Sequence, residues 1–354
     1  MNNNYFSGKT ILITGGLGFI GSNLAIKLAN LNPKKIIIVD SLVEGLGGNI
    51  QNISTIENRN LLEIYTGIEG NIKNIQKMKS IVKSVDITFN LAGSTKHTKL
   101  DKKELDFDTE INFMSQVYFL EACRQVMIEN PKKKLKIIFA GTRDQYGRVP
   151  FNDLPVKEDY RPGNLTDYQS ISKNAAESYH MIVDNILREQ GIDIQINSIR
   201  ITNAYGPRQS SKSGGVVPVF IEKATNGDII ELWGAGEALR DFNYVDDVVD
   251  AFLLISSLDI NGEIFNLGCC VGKDGMENPL GNNLVKIKKL AEIIVGITKK
   301  GEIKIIPYPI ERKAIEPGHF AADISKISKL GWKPKIDLEE GLKRTIDYEL
   351  SKSA

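Results

Sequence analysis

The segment TILITGGLGFIG, residues 10–21, places four glycines directly after an apolar run. Gly15, Gly16, Gly18 and Gly21 satisfy both the GxGxxG and the GxxGxxG spacing. A tight turn from a strand into a helix needs residues without a Cβ. The helix that follows offers backbone N–H groups and its positive end to a phosphate. The segment therefore predicts the strand, turn and helix that begin a dinucleotide-binding unit.

An acidic residue ends the next apolar run, Lys35–Asp40, about 20 residues after Gly21. In a nucleotide-binding βαβ unit, an acid at this point accepts hydrogen bonds from the ribose 2′-OH and repels a 2′-phosphate. The cofactor predicted from these residues is therefore NAD rather than NADP.

Apolar runs of strand length alternate with amphipathic stretches of helix length over the first 200 residues. Short continuous Ile, Val and Leu runs are typical of strands buried on both faces, and this alternation favours a parallel sheet. We predict an α/β fold with a Rossmann-like, doubly wound parallel sheet. The predicted strands are Thr10–Thr14, Lys35–Asp40, Leu62–Thr66, Ile87–Leu91, Lys136–Ala140 and Ile194–Ile201. The predicted helices are Ile20–Asn30, Ile72–Val82, Asp108–Glu129 and Ser170–Gln190.

The regular alternation ends near residue 204, where Gly, Pro and Ser become frequent. We predict a Rossmann-like NAD-binding domain over residues 1–203 and a smaller C-terminal substrate-binding lobe over residues 204–354, with some segments of the lobe returning to the sheet. The polar stretches Glu44–Asn60 and Cys269–Asn283 are predicted to be long loops, which often carry function.

The composition excludes several classes of protein. Lys and Arg (45) nearly balance Asp and Glu (44), which argues against a general nucleic-acid binder. Three cysteines and three histidines show no zinc-ligand spacing, so no metal is expected, and adjacent Cys269 and Cys270 are interpreted as a buried pair. No run approaches the roughly 18 apolar residues that span a bilayer, and the polar Met1–Lys9 segment has no signal core. We expect a cytoplasmic protein that does not bind a membrane.

Further motifs continue along nearly the whole chain. They are Asn90–Gly93, Asn112, Thr142 with Tyr146 and Gly147, Ser172 with Lys173, Arg200–Asn203, Tyr205–Gln209, Arg240–Phe242, Tyr244–Asp247, Ala322 with Asp323, and Leu330–Trp332. With the glycine turn, they resemble the extended short-chain dehydrogenase/reductases, specifically the NAD-dependent nucleotide-sugar epimerase/dehydratase family.

The resemblance implies an enzyme that oxidises a hydroxyl of a nucleoside-diphosphate sugar with tightly held NAD, acts on the ketone and returns the hydride. It also implies a homodimer through Asp108–Glu129 and Ser170–Gln190, although these could equally be ordinary sheet-covering helices. The expected cofactor contacts are Gly15, Gly18, Phe19, Ile20, Gly21, Asp40, Asn71, Ile72, Leu91, Ala92, Gly93, Asn112 and Lys173. The expected substrate contacts are Asn203, Val217, Arg240, Arg312 and His97.

The catalytic residues of similar enzymes are a Ser or Thr that orients the sugar hydroxyl, a Tyr that removes its proton, and a Lys four residues after the Tyr. Thr142 and Lys173 match two of these positions. Gln169 stands four residues before Lys173, and Tyr168 is about 140° round the helix from the lysine. The family's base is therefore missing from its usual position.

Three interpretations of this departure stay open. Tyr168 serves as the base through a π-bulge or a loose first helical turn. Alternatively another group takes the proton, such as Asp144 or a water held by Gln169, since an amide positions a hydroxyl but cannot deprotonate it. In the third interpretation hydride transfer is slow or absent.

Two other positions depart from the family. Related 4,6-dehydratases carry an Asp–Glu pair after the Thr, the acid protonating the leaving 6-OH and the carboxylate removing the C5 proton, whereas this chain has Arg143 and Asp144. Asn71 stands where the family usually has an adenine-binding Asp. The predicted function is a nucleotide-sugar epimerase-type oxidoreductase with an altered general base. The alternatives are a 4,6-dehydratase, a 4-dehydrogenase, and a low-activity regulatory protein that binds NAD and a nucleotide sugar.

Overall fold

The structure is a computed structural model that describes residues 3–95 and 102–352; the side chains of residues 3, 102, 104, 311, 312 and 314 fall outside this description. The strands are β1 (Thr10–Thr14), β2 (Lys35–Asp40), β3 (Leu62–Thr66), β4 (Ile87–Asn90), β5 (Leu135–Thr142), β6 (Ile194–Ile201), β7 (Asn203–Tyr205), β8 (Ile229–Trp233), β9 (Leu239–Tyr244), β10 (Ile264–Asn266), β11 (Leu284–Lys286) and β12 (Glu302–Ile306). The α-helices are α1 (Phe19–Ala29), α2 (Ile75–Val82), α3 (Lys102–Asp108), α4 (Ser115–Glu129), α5 (Tyr168–Glu189), α6 (Val216–Asn226), α7 (Val245–Ser257), α8 (Ile287–Thr298), α9 (Ile310–Ile315), α10 (Ser325–Ser328) and α11 (Leu338–Ser351).

The predicted fold class is confirmed by a seven-stranded sheet of order β10-β6-β5-β4-β1-β2-β3. Strand β1 pairs in parallel with both β2 and β4, and the outward pairs β2–β3 and β4–β5 are parallel too. Strand order reverses between β1 and β4, and ligands of such sheets bind beyond the carboxyl ends of the strands at this point. The glycine turn follows β1, and Leu91–Gly93 follows β4.

The chain divides into two compact units. The first contains Met1–Gly141, Ile171–Ile199 and Val249–Ile264. The second contains Thr142–Ser170, Arg200–Val248 and Phe265–Ala354. The predicted division places its boundary after residue 203, with some later segments returning to the sheet; the chain passes between the two units five times. Hydrophobic periodicity cannot reveal these passages, because each follows from long-range packing.

Most of the predicted elements of the first unit are found within a few residues of their expected ends. The predicted helix Asp108–Glu129 differs, because a π-helical segment, Thr109–Met114, lies between α3 and α4. The π-helix is rare and occurs mostly as a short insertion within an α-helix. This segment carries Asn112, one of the predicted cofactor residues.

The second unit has two small sheets, β11-β9-β7 and β12-β8. Strand β9 pairs with β7 in parallel and with β11 in antiparallel orientation. A core cluster of this unit surrounds the fully buried Tyr146 ring and includes Phe320 and Leu154. Within residues 3–95 and 102–352, no helix combines the length and the apolar character needed to cross a bilayer.

Candidate active site

The glycine turn between β1 and α1 is packed too closely for larger residues. Gly15 has a φ of +65°, and a Cβ there would lie 3.0 Å from the backbone of Ala92. A Cβ on Gly21 would lie 2.3 Å from the carbonyl oxygen of Gly15. Gly18 is the N-cap of α1 and supplies no side-chain cap to the first N–H groups of Phe19 and Ile20. The turn can therefore bind a phosphate, whose oxygens would accept hydrogen bonds from those N–H groups.

Asp40, at the end of β2, is tied to this turn by hydrogen bonds. Its Oδ2 accepts from the N–H of Leu17 at 3.0 Å, and its Oδ1 accepts from the N–H of Leu42 at 2.9 Å. Burial raises the pKa of Asp40, and the backbone donors Leu42, Leu17 and Gly18 partly oppose this rise. The three backbone donors leave one of the roughly four lone-pair sites of the carboxylate for a ribose hydroxyl.

The predicted cofactor contacts Asn71 and Ile72 lie just beyond β3. Asn71 is exposed, and its Oδ1 accepts from the N–H of Lys73 at 3.0 Å. Ile72 is 5% exposed and belongs to the core cluster of the first unit. The amide group of Asn71 keeps its N–H donors for a ligand, while the side chain of Ile72 is used in packing.

The segment after β4 brings three predicted residues together. A Cβ on Gly93 would lie 2.7 Å from Nζ of Lys173 and 2.8 Å from Oδ1 of Asn112. The same Asn112 oxygen accepts from the N–H of Ser94 at 2.8 Å. Leu91 and Ala92 are held through their N–H groups by the carbonyl and hydroxyl of Thr14, at 3.1 and 3.2 Å. A residue larger than glycine at position 93 would therefore clash with the ammonium of Lys173 and with the side-chain amide of Asn112.

Sequence reasoning missed a buried hydrogen-bond network beneath this segment. The Thr14 hydroxyl donates to Oδ1 of Asn90 at 2.7 Å, and Nδ2 of Asn90 donates to Gln116 at 2.7 Å. The Gln116 amide donates in turn to the carbonyl of Ala92 at 2.8 Å. Nε2 of His180 lies 3.0 Å from Nδ2 of Asn90 and extends the network. Burial lowers the pKa of His180 to about 4, so its ring is neutral. In the sequence, the signal for this network is that Thr14 and Asn90 are polar residues at the ends of apolar runs.

Lys173 is 4% exposed and donates from Nζ to the carbonyl oxygen of Ala140 at 3.2 Å. Its ammonium lies 5.1 Å from the centre of the Phe139 ring. Burial lowers the pKa of Lys173 to about 8. A lysine in this state changes charge close to neutral pH, which is useful at a proton-transfer site.

As pH rises from 8 to 10, the free energy of unfolding of the protein without nucleotide is expected to increase relative to that of a Lys173→Met variant. The pKa of Lys173 is about 8 when folded and 10.5 in its unperturbed state. Unfolding therefore takes up a proton over this interval, so the free energy of unfolding rises by about 2 kcal/mol relative to the variant. Urea unfolding at both pH values measures this difference. Lys157→Met, at an exposed position, is the control and should show no such pH-dependent difference; an equal response of all three proteins would contradict the shifted pKa.

In the second unit, Thr142 and Asp144 form a tight pair at the end of β5. The Thr142 hydroxyl donates to Oδ2 of Asp144 at 2.9 Å, and the N–H of Thr142 donates to the Gln145 side chain at 2.7 Å. Asp144 is 6% exposed. The pair thus joins a hydroxyl to a carboxylate that can receive its proton.

Helix α5 begins at Tyr168 and is α-helical to Glu189. Oδ1 of Asp167 accepts from the N–H of Ser170 at 2.8 Å, and its carbonyl accepts from the Ser170 hydroxyl at 2.7 Å. The first turn is therefore capped, and α5 is α-helical from Tyr168 onward, without a π-bulge. The use of Tyr168 as the base stays a prediction. Gln169, 1% exposed, lies four residues before Lys173 and on the same helix face.

Arg240 is buried on β9 and already has partners within the second unit. It donates to the carbonyls of Leu239, at 3.0 Å, and Gly318, and it forms an ion pair with Glu316. Burial would raise the pKa of Glu316, but Arg240 holds it below its usual value. A phosphate at Arg240 would therefore compete with the Glu316 carboxylate.

Two predicted substrate residues lie elsewhere in the second unit. Asn203 begins β7, and its Nδ2 donates to the carbonyl of Asp241 at 2.9 Å. Val217 is 3% exposed in the first turn of α6. His97 lies outside the described residues. Arg312 falls within α9, and its side chain lies outside the description.

The Cys269–Cys270 pair is buried, as expected, with its sulfur atoms 4.0 Å apart. Ligand atoms of these thiols and of Asp241 lie within 4.8 Å of one another. The neighbouring Cys270 thiol and burial raise the pKa of Cys269, and burial raises that of Asp241 to about 7. These shifts favour protonated groups, which make poor ligands for a cation.

Comparison with known proteins points to one family. A sequence profile described as the NAD dependent epimerase/dehydratase family matches residues 11–268. A Methanocaldococcus jannaschii protein, provisionally named UDP-glucose 4-epimerase, is 31% identical over 96% of this chain and 97% of its own length. The dTDP-D-glucose 4,6-dehydratase of Bos taurus is 27% identical over 96% of this chain and 88% of its own. A crystal structure of UDP-glucose 4-epimerase with UDP-glucose, from Thermotoga maritima, superposes with a TM-score of 0.79 at 29% identity. It covers 98% of this chain and 100% of that one.

Proposed function

Because this chain belongs to the NAD-dependent epimerase/dehydratase family, we propose that it is a nucleotide-sugar epimerase-type oxidoreductase with an altered general base. Its substrate is a nucleoside-diphosphate sugar, one hydroxyl of which is oxidised transiently. The similarity to a solved UDP-glucose 4-epimerase along nearly the whole chain supports this reaction type.

The residues of the first unit fit NAD. Phosphates would meet the uncapped N-terminus of α1, and a ribose would meet Asp40. At Gly93 the absence of a Cβ keeps the backbone close to Lys173, whose Nζ would lie only 2.7 Å from a Cβ. When bound, NAD supplies the hydride acceptor, and the protein must then accept the hydroxyl proton.

The hydrogen bond from Thr142 to Asp144, 2.9 Å long, carries the proposal for that proton. In it, the sugar hydroxyl donates to Thr142 Oγ1 while Thr142 passes its own proton to Asp144. Gln169 orients the hydroxyl, since an amide has no useful pKa. Asp144 thus replaces the Tyr that similar enzymes carry.

The reaction is tested with purified protein, a panel of UDP-, dTDP-, GDP- and CDP-sugars, and D₂O as solvent. We expect NMR to show inversion at one sugar carbon and mass spectrometry to show no loss of water. Loss of water would indicate a 4,6-dehydratase, and accumulation of NADH absorbance would indicate a 4-dehydrogenase. Binding without turnover would favour the regulatory alternative, and no binding by any member would contradict a nucleotide-sugar function.

Tyr168→Phe is expected to keep kcat within about twofold of the wild-type value. In the capped helix α5, Tyr168 stands five residues before Lys173 and is therefore about 140° from it around the helix. Steady-state rates on the sugar that reacts best in the panel measure this. A decrease in kcat of about 100-fold or more is the size expected when a general base is removed, and it would show that Tyr168 is the base.

A homodimer and a cytoplasmic location stay predictions. Exposed isoleucines on one face of α5, Ile171, Ile182 and Ile186, support the dimer, because apolar side chains at such spacing are typical of a helix that packs against another.

A further inference from the structure

Arg143 is a buried cation that the proposed proton transfer does not use. It follows Thr142 directly, and its side chain is only 8% exposed. Arginine is rarely buried to this extent unless a negative group compensates its charge. The structure must therefore provide, or leave room for, such a group.

The protein itself compensates Arg143 poorly. Its ion pair with Asp144 has an N···O distance of 3.4 Å, longer than the roughly 2.8 Å of a charge-assisted hydrogen bond. Asp144 also accepts the Thr142 hydroxyl. The Phe320 ring centre lies 5.5 Å from the guanidinium carbon. The carboxylates of Glu316 and Asp241 are close enough for the charge of Arg143 to have a lowering effect on their pKa values, but neither of these two described side chains forms an ion pair with it. Over the described part of the chain, no shorter polar contact reaches the five N–H donors of Arg143.

A second buried arginine adds to the positive charge. Arg143 lies close enough to Arg240 to contribute to lowering its pKa, after burial. The nearby carboxylate Glu316 is bound to Arg240 and to the Tyr308 hydroxyl. Of the two cations, Arg240 therefore has a short ion pair, while Arg143 keeps its planar N–H edge for another acceptor.

We propose that Arg143 binds a carboxylate on the substrate sugar, so that the substrate is a nucleotide-linked uronic acid. A carboxylate matches the guanidinium with two parallel hydrogen bonds, which a neutral hydroxymethyl group cannot form. This inference rests on the proposed function, because Thr142, the adjacent residue, orients the reacting sugar hydroxyl in that proposal. The adjacency of Thr142 favours the sugar over the diphosphate as the partner of Arg143.

The test compares UDP-glucuronate with UDP-glucose, which differ by a carboxylate in place of a hydroxymethyl group. Isothermal titration of the NAD-loaded protein should show at least about tenfold tighter binding of UDP-glucuronate. In Arg143→Gln the ratio of the two affinities should fall to about one. Arg143→Lys, which keeps the charge without the planar fork, should give an intermediate ratio.

Arg344→Gln removes a half-exposed arginine of the same unit and should keep the wild-type ratio. Equal affinity of the wild type for both sugars, or a preference retained in Arg143→Gln, would overturn the inference and leave the epimerase proposal standing. If UDP-sugars do not bind but dTDP-glucose does, the same comparison is made between dTDP-glucuronate and dTDP-glucose, with the same expected and contradicting results. If no nucleotide sugar binds, both proposals fail.

Discussion

Replacing Asp144 by Asn should lower kcat about a thousandfold, in the range found for general bases. In the proposed route, Asp144 receives the proton that Thr142 takes from the sugar hydroxyl over a 2.9 Å hydrogen bond. An asparagine side chain still accepts a hydrogen bond from Thr142, but it cannot take up the proton. Product formation with the best sugar nucleotide of the panel measures the loss, while NAD binding reports on folding.

Two further variants separate proton transfer from a loss of packing. Thr142→Ser keeps the hydroxyl and should retain most of the activity, whereas Thr142→Val should lose nearly as much as Asp144→Asn. Asp159→Asn, at an exposed position of the same unit, is the matched control and should behave as the wild type. Activity above about a tenth of wild type in Asp144→Asn would show that the base is another group.

Replacing Gly21 by Ala should weaken NAD binding at least about 100-fold and lower the melting temperature. The new Cβ would lie 2.3 Å from the Gly15 carbonyl oxygen and 2.7 Å from Gly16 Cα, both backbone atoms. The start of α1 must therefore move away from the turn, and its N–H groups lose their alignment with the cofactor phosphates. Overpacking of this kind destabilises a protein by about 1–3 kcal/mol.

Gly296→Ala provides the matched control, since Gly296 lies in α8 and a Cβ there would have no atom within 4 Å. It should stabilise the protein by about 0.5–1 kcal/mol, because alanine is the better helix former, and it should not change NAD affinity. Fluorescence titration with NADH and thermal unfolding report both effects. Unchanged NADH affinity in Gly21→Ala would contradict the assignment of this turn.

The fold could be predicted because its signals are local. Continuous apolar runs mark the central strands β1 and β2, and the glycines after β1 mark a turn that admits only residues without a Cβ. The replacement of the family's tyrosine by Gln169 could also be predicted, because it follows from counting four residues back from Lys173 along one helix.

The features that decide the chemistry are not local. The network from Thr14 through Asn90 and Gln116 joins residues far apart in the chain. The ion pair of Arg240 with Glu316 spans 76 positions. The π-helical segment that carries Asn112 has no periodic signal of its own. Each depends on packing that composition and spacing do not encode.

The sequence by itself determined the α/β fold, the tight glycine turn at Gly15–Gly21 and the absence of tyrosine from the position of Gln169. These follow from periodicity, glycine sterics and spacing along one helix. Only the tertiary structure decided that Thr142 is hydrogen-bonded to Asp144 and that Arg143 is buried with a 3.4 Å ion pair to Asp144. Only the tertiary structure decided that burial lowers the pKa of Lys173 to about 8. The physical reason is that proton affinity and the compensation of charge depend on burial and on neighbours brought together by folding.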